Sequence, residues 1–490
     1  MENITEGIIE FKDFEKKMHE ILCQVGCELI SEYLQACDKK LMERRDTKEY
    51  RIINTGTTTI KTIMGEVSYS RRYYKKKTGG YVFLLDEALG IGNGIGLISE
   101  NLAEEIVIEC SEKSFRKAAG SISSFTGQTI SAMGAWNILQ QYGDRIEEKE
   151  DRLHELDKKG VAGQLGNIST RVLFEELDDV WLSMQKAKRR RQGVGNEAKE
   201  KKAGKKPIHI GTAYTGWSKI NDGKYNTIDK IAYVSIGDVR GFISNFEVLK
   251  RNCYDMDGVE NQVTNGDGAS WIKTASAEND TILQLDPFHR SQAIIRAISK
   301  EEDRKNIYNA IREKDVEKVL QVTYDMVVNA SDDDTREKIG RLYGYLYDNK
   351  ESLLSWKERG IQLPVPPEGV VYRNLGTQEA SNCDLITQRM KHRKGSWSIK
   401  GANHMAKILC YRHTIGLDAI LGAPQETLST EMETKMTPLS AAKTPQYDGH
   451  GYDGNWLYAQ LPFEQTFITG GRNAIRGILG QKPISDLSFI

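Results

Sequence analysis

Residues 171–182 read RVLFEELDDVWL, an apolar run that is interrupted by acids and ends just after a pair of aspartates. A short run of this kind predicts a buried strand whose far end carries the carboxylates of Asp178 and Asp179. Downstream of it, the sequence predicts further strands over 207–217, 231–236, 242–249 and 281–285. Because helical patterns then take over, the whole segment is predicted to form a mixed α/β domain.

The chain upstream of this segment has a different pattern. Apolar residues recur at helical spacing over 8–42, which predicts a helix, and residues 57–76 alternate with period two around Met64-Gly65, which predicts a β-hairpin. Residues 114–142 then predict two short helices separated by a glycine-containing turn. This last pattern is typical of a DNA-binding helix-turn-helix and also of an ordinary αα-hairpin, so both interpretations remain.

These changes of pattern predict four regions along the chain. The last of them is rich in Pro, Gly, Thr and Gln, a composition that favours irregular structure. The regions are an N-terminal helical region at 1–50, a hairpin and helical DNA-binding region at 51–150, the α/β domain at 165–415 with a helical insertion at about 296–365, and an irregular C-terminal tail at 416–490.

Composition and charge exclude several classes of protein. The 490 residues contain 68 Lys and Arg against 69 Asp and Glu, a net charge of −1, and 39% of them are hydrophobic, as in a globular chain. No apolar run approaches the ~18 residues of a membrane helix, and the first residues lack a hydrophobic signal core, so a cytoplasmic location is expected. P-loop, G-x-S-x-G and H-E-x-x-H motifs are absent from the sequence, which argues against the enzymes that depend on them.

Positive charge is concentrated in two clusters. Between residues 186 and 207 ten Lys and Arg stand against two Glu, and residues 71–77 read RRYYKKK, where basic and aromatic side chains mix. Such clusters suit a nucleic-acid backbone, and the alternative is a solvated loop together with an edge strand protected by its charges. The predicted DNA-binding residues are Arg71, Arg72, Lys188, Arg189, Arg190, Arg191, Lys201, Lys202, Lys205 and Lys206.

Three acids fall at the ends of predicted elements. Asp178 ends the first strand, Asp267 stands between two glycines, and Glu379 follows a short Gly-Thr-Gln string. Carboxylates brought together on one sheet can hold two divalent ions roughly 4 Å apart, and hard oxygen ligands favour Mg²⁺ or Mn²⁺. Each acid also has a structural explanation as a strand-end cap, a turn former or a helix N-terminal acid, so the pattern by itself leaves both interpretations open.

Five short motifs follow one another along the chain, namely Glu176-Leu-Asp178, Gly266-Asp267-Gly268-Ala269-x-Trp271-Ile272, Leu285-Asp286-Pro-Phe-His289, Gly376-Thr-Gln-Glu379 and Arg389-Met-Lys391-x-Arg393-x-Gly395-x-Trp397-Ser398. In this order they resemble the DDE transposases of the ISLre-two insertion-sequence family, a group that is similar to the Mutator-like superfamily. The resemblance runs from the hairpin near Gly65 through Trp397. It implies a ribonuclease H-like mixed sheet with a helical insertion, preceded by an N-terminal α+β DNA-binding region.

The resemblance implies a metal-binding catalytic triad of Asp178, Asp267 and Glu379. It also implies that Asp286 and His289 form a D-x-x-H signature beside the triad, with His289 positioning a water molecule or the scissile phosphate. One departure concerns Asp179, which stands where the family's E-A-D-G string has glycine, so Asp178 and Asp179 both remain candidates for the first ligand. Because their side chains point to opposite faces of a strand, only one can face the metals, and we favour Asp178.

In function, the resemblance implies a bacterial transposase, nucleoid-associated in the cytoplasm. It would bind double-stranded DNA at terminal inverted repeats and at the target, and two Mg²⁺ (or Mn²⁺) ions would serve strand cleavage and strand transfer. Because two element ends must be joined, at least a homodimer is expected, with no membrane partner. Two alternatives remain: a ribonuclease H-like nuclease or resolvase that cuts without joining, and a catalytically inactive DNA-binding derivative.

Overall fold

The computed structural model describes most of the chain, in ranges 10–91, 98–160, 166–185, 204–392 and 395–414. Within these residues the chain forms two compact units, one ending at Gln141 and the other beginning at Tyr142. The predicted tail at 416–490 lies outside the described residues, and so do six of the predicted DNA-binding residues, namely Lys188, Arg189, Arg190, Arg191, Lys201 and Lys202.

Helices and a small antiparallel sheet make up the first unit. Its elements are α1 (Phe11–Arg44), β1 (Tyr50–Thr62), β2 (Gly65–Lys76), β3 (Tyr81–Val82), α2 (Leu84–Leu89), α3 (Glu100–Glu112) and α4 (Phe115–Thr126). The strands pair in the order β1–β2–β3. Helix α5 (Ala132–Lys158) begins before the boundary between the units and ends after it.

The predicted β-hairpin is confirmed, since β1 and β2 pair in antiparallel register. The second strand starts at Gly65, whose φ of +146° lies in a region that glycine adopts at little cost. Alternate residues Ile60, Val67 and Tyr69 are buried with Leu34 of α1 in one apolar cluster. The period-two pattern therefore marks the face of the hairpin that packs against the long helix.

Two helices cover most of the 114–142 segment, as predicted, but the second is not short, since it continues to Lys158. The Ser114 side chain caps α4 by accepting a hydrogen bond from the backbone N–H of Lys117, and α4 ends at Gly127 with φ +68°. Helix α5 then begins at Ala132. A helix-turn-helix and an αα-hairpin share this arrangement, so DNA recognition by these helices stays a prediction.

The described residues of the second unit form seven strands and most of the helices. Its sheet strands are β4 (Val172–Ser183), β5 (Lys205–Tyr214), β8 (Ile231–Ser235), β9 (Asn261–Gly266) and β10 (Ile282–Leu285), and a separate hairpin is formed by β6 (Gly216–Asn221) and β7 (Lys224–Ile228). Its helices are α6 (Val239–Cys253), α7 (Ser270–Glu278), α8 (Pro287–Ala297), α9 (Glu301–Arg312), α10 (Val316–Val328), α11 (Asp333–Asp348), α12 (Gln378–Asn382), a π-helical segment (Cys383–Lys391) and α13 (Ile399–Thr414), with short 3₁₀ turns at Met256–Gly258 and Lys350–Ser352.

A five-stranded mixed sheet forms the centre of the second unit, in the order β10–β9–β4–β5–β8. Strand β4 is parallel to β9 and antiparallel to β5, while β10 is parallel to β9 and β8 is antiparallel to β5. Both faces of the sheet are covered: Leu173 packs with Phe242 on one face, and Phe174 packs with Trp356 on the other. The predicted mixed α/β class is confirmed.

Residues 242–249 form part of helix α6, so the prediction of a strand there is wrong. The buried residues Phe242, Phe246 and Leu249 recur at intervals of four and three, which places them on one side of a helix against the sheet. An apolar run of eight residues is too short for its composition alone to separate a strand from a buried helix.

The predicted insertion at about 296–365 is helical over about its first three quarters. Helices α9, α10 and α11 share an apolar core that includes Ile307, Leu320 and Leu342. Helix α11 ends at Asp348, one 3₁₀ turn follows, and the described residues 353–365 contain no α-helix. The insertion thus supplies a packed helical layer and then an irregular connection that returns to the sheet.

Candidate metal centre

Three aspartates follow paired positions on three neighbouring parallel strands. Leu177 of β4 is in register with Gly266 of β9, and Gly266 is in register with Leu285 of β10. In each strand the next residue is an aspartate: Asp178, Asp267 and Asp286. Because the three strands run in the same direction, this register brings the aspartates side by side at the edge where β9 and β10 end.

Asp178 is a buried carboxylate, with only 6% of the residue exposed. Its Oδ2 accepts a hydrogen bond from Asn382 Nδ2 (2.6 Å), and its Oδ1 accepts one from the backbone N–H of Asp179 (2.8 Å). Burial raises the pKa of Asp178 to about 6, and the charge of Asp267 adds to the rise, while His289 and the hydrogen bonds oppose it. Among the described residues, no lysine or arginine forms an ion pair with this carboxylate.

Asp179 points to the opposite face of the strand. Its Oδ1 lies 2.6 Å from Nδ1 of the buried His209, and its Oδ2 accepts a hydrogen bond from the indole N–H of Trp271 (3.3 Å). Those contacts occupy both of its oxygens within the apolar face that α6 and α7 cover. Asp178, and not Asp179, therefore faces the other candidate ligands.

Helix α8 supplies His289, and Asp286 fixes the start of that helix. The Asp286 Oδ1 accepts a hydrogen bond from the backbone N–H of Phe288 (2.7 Å), while its Oδ2 lies 3.5 Å from Nδ1 of His289. Burial lowers the pKa of His289, but the contact with Asp286 and the charges of Asp178 and Asp267 outweigh that effect and raise the pKa to about 9. The imidazole therefore carries a positive charge at neutral pH.

Glu379 reaches the same place from a distant part of the sequence. It lies on α12 with an exposed side chain, 379 − 178 = 201 residues after Asp178. A carboxylate oxygen of Glu379, one of Asp178 and a ring nitrogen of His289 all lie within 4.8 Å of one another. We call these three residues the sheet-edge cluster; it unites three of the five predicted site residues.

Asp267 and Asp286 lie beside the sheet-edge cluster and not within the 4.8 Å group. Asp267 is close enough that its charge raises the pKa of both Asp178 and His289. Its Oδ1 accepts a hydrogen bond from the backbone N–H of Ala269 (2.8 Å), which orders the loop after β9. Among the described residues the site thus contains four carboxylates and one charged imidazole, an excess of negative charge that favours a bound cation.

The helical insertion holds the loop that carries Asp267. The hydroxyl of Tyr345 on α11 donates a hydrogen bond to the backbone carbonyl of Asp267 (2.8 Å). The following Gly268 has φ +90°, and a Cβ atom there would lie 2.6 Å from Oδ1 of Asn349. Both the backbone conformation and the space therefore require glycine next to the second acid.

A second group with the same chemical composition lies away from the sheet edge, and sequence reasoning missed it. Asp144 and Glu147 on α5 and the buried His404 on α13 also place ligand atoms within 4.8 Å of one another; we call them the helix-pair cluster. Its acids already have partners, since Asp144 Oδ1 lies 2.7 Å from Nζ of Lys400 and Glu147 Oε1 accepts a hydrogen bond from Asn403 (2.6 Å). The i, i+3 spacing of the two acids was the one available sequence signal.

The described members of the predicted DNA-binding set differ in their surroundings. Arg71 forms an ion pair with Asp86, and Arg72 forms one with the buried Asp38. Lys205 and Lys206 are exposed at the start of β5, opposite the end of β4. The two arginines thus have ion-pair partners inside the first unit, whereas the two lysines are exposed. DNA binding by these four residues stays a prediction.

Comparison with known proteins identifies the family of the chain. The model of the uncharacterised protein family UPF0236 matches residues 4–420. The chain belongs to UPF0236. Several UPF0236 proteins of Caldanaerobacter subterraneus subsp. tengcongensis are relatives; one of them is 25% identical over 421 residues, which cover 83% of this chain and 77% of the relative. A UPF0236 protein of Streptococcus gallolyticus is 23% identical over 451 residues, 89% of this chain and 91% of that protein.

Two solved structures resemble this UPF0236 protein weakly. The Mos1 strand transfer complex matches at 10% identity over 51% of this chain and 77% of that chain, with a TM-score of 0.12. A pre-cleavage Mos1 transpososome matches at 11% identity over 51% and 78%, also with a TM-score of 0.12. At such TM-scores the likeness carries no argument. Across the described part of the chain, every helix is too short or too polar to cross a membrane.

Proposed function

We propose that this UPF0236 protein is a DDE transposase of the ISLre-two type, which cleaves DNA at the ends of an insertion sequence and joins them to target DNA. The observation that carries the proposal is the sheet-edge cluster. Asp178, His289 and Glu379 come from a central strand and two separate helices, and they meet beside Asp267. Carboxylates gathered in this way from distant positions are typical of a metal site for phosphodiester chemistry.

The topology of the second unit supports a ribonuclease H-like fold. Numbered within the sheet, the strand order is 5–4–1–2–3, with the first three strands antiparallel and the last two parallel to the first. Asp178 lies on the central strand of this mixed sheet and Asp267 directly follows its fourth strand, an arrangement compatible with the ribonuclease H-like fold that the resemblance implies.

The residues present fit a site for divalent ions. Asp178, Asp267 and Glu379 would hold two Mg²⁺ or Mn²⁺ ions, because carboxylate oxygens are the ligands that these ions prefer. Within the described chain these three acids form no ion pair with lysine or arginine, so their charge calls for another cation. When bound, the ions would supply charge that activates the attacking oxygen and stabilises the leaving oxygen of the phosphodiester.

The remaining side chains have roles that follow from their contacts. His289, charged at neutral pH, lies beside the proposed metal ligands Asp178 and Glu379 and can donate a proton or a hydrogen bond to a phosphate oxygen. Asp286 orients that imidazole and caps its helix. Exposed Lys205 and Lys206 at the start of β5 would contact the DNA backbone as it passes.

The family's distribution also supports a mobile element. The name of one relative in Caldanaerobacter subterraneus combines eleven locus designations. A protein that recurs at many loci of one genome is what repeated copying of an insertion sequence produces. Since two element ends must be joined to one target, we propose that the protein acts as a homodimer or a larger assembly.

The proposal is tested with labelled element-end DNA and either Mg²⁺ or Mn²⁺, comparing the natural protein with Asp267→Asn. The expected result is metal-dependent nicking and joining that the substitution abolishes, whereas Glu147→Gln in the helix-pair cluster leaves both unchanged. Nicking without joined products would instead identify a nuclease or resolvase. DNA binding without cleavage by either protein would identify an inactive DNA-binding derivative.

A further inference from the structure

Glu176 lies two residues before Asp178 on β4 and is completely buried. Since alternate residues of a strand share a face, its side chain lies on the same face of the sheet as that of Asp178. Buried carboxylates are normally paired with a cation or with many hydrogen-bond donors. Within the described residues Glu176 forms no close ion pair; the charge of Lys230 acts on it at longer range, and the direct contacts of its carboxylate are hydrogen bonds.

Six donor groups surround the Glu176 carboxylate. Oε1 accepts hydrogen bonds from the Tyr214 hydroxyl (2.6 Å) and from the hydroxyl of Thr377. Oε2 accepts one from Asn265 Nδ2 (3.1 Å). The other three donors are consecutive backbone N–H groups, those of Gly376 (3.0 Å to Oε2), Thr377 (3.0 Å to Oε1 and 3.1 Å to Oε2) and Gln378 (3.2 Å to Oε2).

Those three backbone amides immediately precede Glu379. A carboxylate that accepts hydrogen bonds from three successive N–H groups fixes the path of the chain at that point. A second set of hydrogen bonds connects α12 to β4. Gln378 Nε2 donates to Asn382 Oδ1 (2.9 Å), and Asn382 Nδ2 donates to Asp178. Glu176 therefore connects the strand that carries the first acid to the segment that carries the third.

We propose that Glu176 is a positioning residue, which holds Glu379 at the distance from Asp178 that metal binding needs. This inference rests on the proposed function and deepens it, since it assigns the glutamate of the Glu176-Leu-Asp178 motif to the site without making it a ligand. Groups that orient metal ligands in this way affect metal affinity or activity by about tenfold to a hundredfold.

We call the hydrogen bonds between the Glu176 carboxylate and the segment before Glu379 the anchor. The Glu176→Gln variant disrupts the anchor with little change in side-chain volume. An amide offers one acceptor oxygen and turns an NH₂ group toward the backbone N–H donors, so at least one of them is left without a partner. We expect the Mn²⁺ affinity of this variant to fall about tenfold or more, with a matching loss of DNA nicking. Glu379→Gln serves as the reference for complete loss of the third ligand.

The matched control is Glu175→Gln, one residue away on the same strand. Glu175 is also buried, but it lies on the opposite face, where it pairs with the fully buried Lys250 and accepts a hydrogen bond from Gln262 (2.9 Å). This substitution breaks a buried ion pair, so the thermal midpoint falls. The Mn²⁺ affinity of the folded control should stay within about twofold of the natural protein, because neither Glu379 nor Asp178 has lost its support.

A milder pair of variants covers the case in which Glu176→Gln fails to fold. Thr377 is partly buried, and its hydroxyl contributes one donor to the anchor. Thr377→Val removes that hydroxyl with little change in shape, while Thr377→Ser keeps it. We expect weaker Mn²⁺ binding and slower nicking in the valine variant and near-normal values in the serine variant.

The measurements are Mn²⁺ titration calorimetry, thermal unfolding and element-end nicking on the full chain. Normal affinity and nicking in Glu176→Gln, or an equal loss in Glu175→Gln, would overturn the positioning role. If the natural protein binds Mn²⁺ and Glu176→Gln weakens the binding, but neither cuts DNA, the anchor stands and the proposed function falls. If the natural protein cuts DNA and Glu176→Gln cuts equally well, the proposed function stands and the anchor falls; no Mn²⁺ binding by the natural protein would overturn both.

Discussion

The sheet-edge cluster and the helix-pair cluster contain the same chemical groups in different surroundings. Each combines two carboxylates and one histidine within 4.8 Å. The helix-pair acids, Asp144 and Glu147, are matched by Lys400 and by Asn403. In the sheet-edge cluster the Asp178 carboxylate is buried, receives hydrogen bonds from neutral donors, and has its pKa raised to about 6.

The comparison shows that the neighbours of a cluster, more than its composition, decide what it can bind. A lysine already supplies the positive charge that the helix-pair acids need, so that cluster ties α5 to α13 as an ion-pair network. Within the described residues, the sheet-edge acids have His289 as their cationic neighbour, beside the further negative charges of Asp267 and Asp286. This excess of negative charge is the reason for the proposal that the sheet edge binds divalent ions.

The largest expected effect is a difference in DNA nicking between variants of the two clusters. Glu379→Gln removes a proposed metal ligand, and because metal coordination contributes several kcal/mol to such reactions, nicking should fall about a thousandfold. Glu147→Gln makes the same chemical change in the helix-pair cluster and should leave nicking unchanged. A single-turnover nicking assay with element-end DNA measures both, and an equal loss in the two variants would contradict the distinction.

Proton competition provides the next test. Asp178 must lose its proton to bind a metal, and its pKa lies at about 6. Mn²⁺ affinity should therefore rise about tenfold per pH unit below pH 6 and level off above it. Calorimetric titration at pH 5, 6 and 7 measures this dependence. If the Glu147→Gln variant keeps this pH dependence of Mn²⁺ affinity and Asp178→Asn loses it, the dependence belongs to the sheet-edge cluster. An Mn²⁺ affinity of the natural protein that does not change with pH would contradict the role of Asp178 as a ligand.

The folding stability of the metal-free protein should also depend on protonation of Asp178, but in the opposite direction. It should fall as the pH rises, whereas Mn²⁺ affinity should increase. The folded state holds the Asp178 proton up to about pH 6, whereas the unfolded chain releases it near pH 4. Stability contributed by this group is thus present below pH 4 and lost as the pH rises to 6, by about 3 kcal/mol at most. Urea unfolding gives the free energies of unfolding of the natural protein and of Asp178→Asn. If the gap between these two free energies is the same at pH 4 and at pH 6.5, the prediction is contradicted.

The smallest expected effect concerns packing at the helix-pair cluster. A Cβ atom on Gly143 would lie 2.1 Å from Cγ of the buried His404, so Gly143→Ala should destabilise the protein by about 1–3 kcal/mol through overpacking. Gly344→Ala on α11, where nothing lies within 4 Å, should stabilise by up to about 1 kcal/mol. Chemical denaturation of both variants provides the comparison, and a gain in stability for Gly143→Ala would refute the tight contact.

Several features of the fold and the site were predictable because they depend on local pattern. Alternation around Gly65 predicted the β1–β2 hairpin, and the apolar run ending at Asp178 predicted the central strand. Residues 242–249 were not predictable in this way, because the sheet face that selects a helix there is built from other segments. Asn382 and the helix-pair cluster were missed for the same reason, since their partners lie about 200 residues or more away in the chain.

The sequence by itself determined which residues carry charge, which runs are apolar, and the order in which the acids appear along the chain. It also determined membership in UPF0236, because the family model matches residues 4–420 of the sequence. Only the tertiary structure decided that Asp178 faces the cluster while Asp179 faces His209, and that the amides before Glu379 bind Glu176. The physical reason is that strand register and the direction of each side chain depend on pairing between distant segments, which no local pattern specifies.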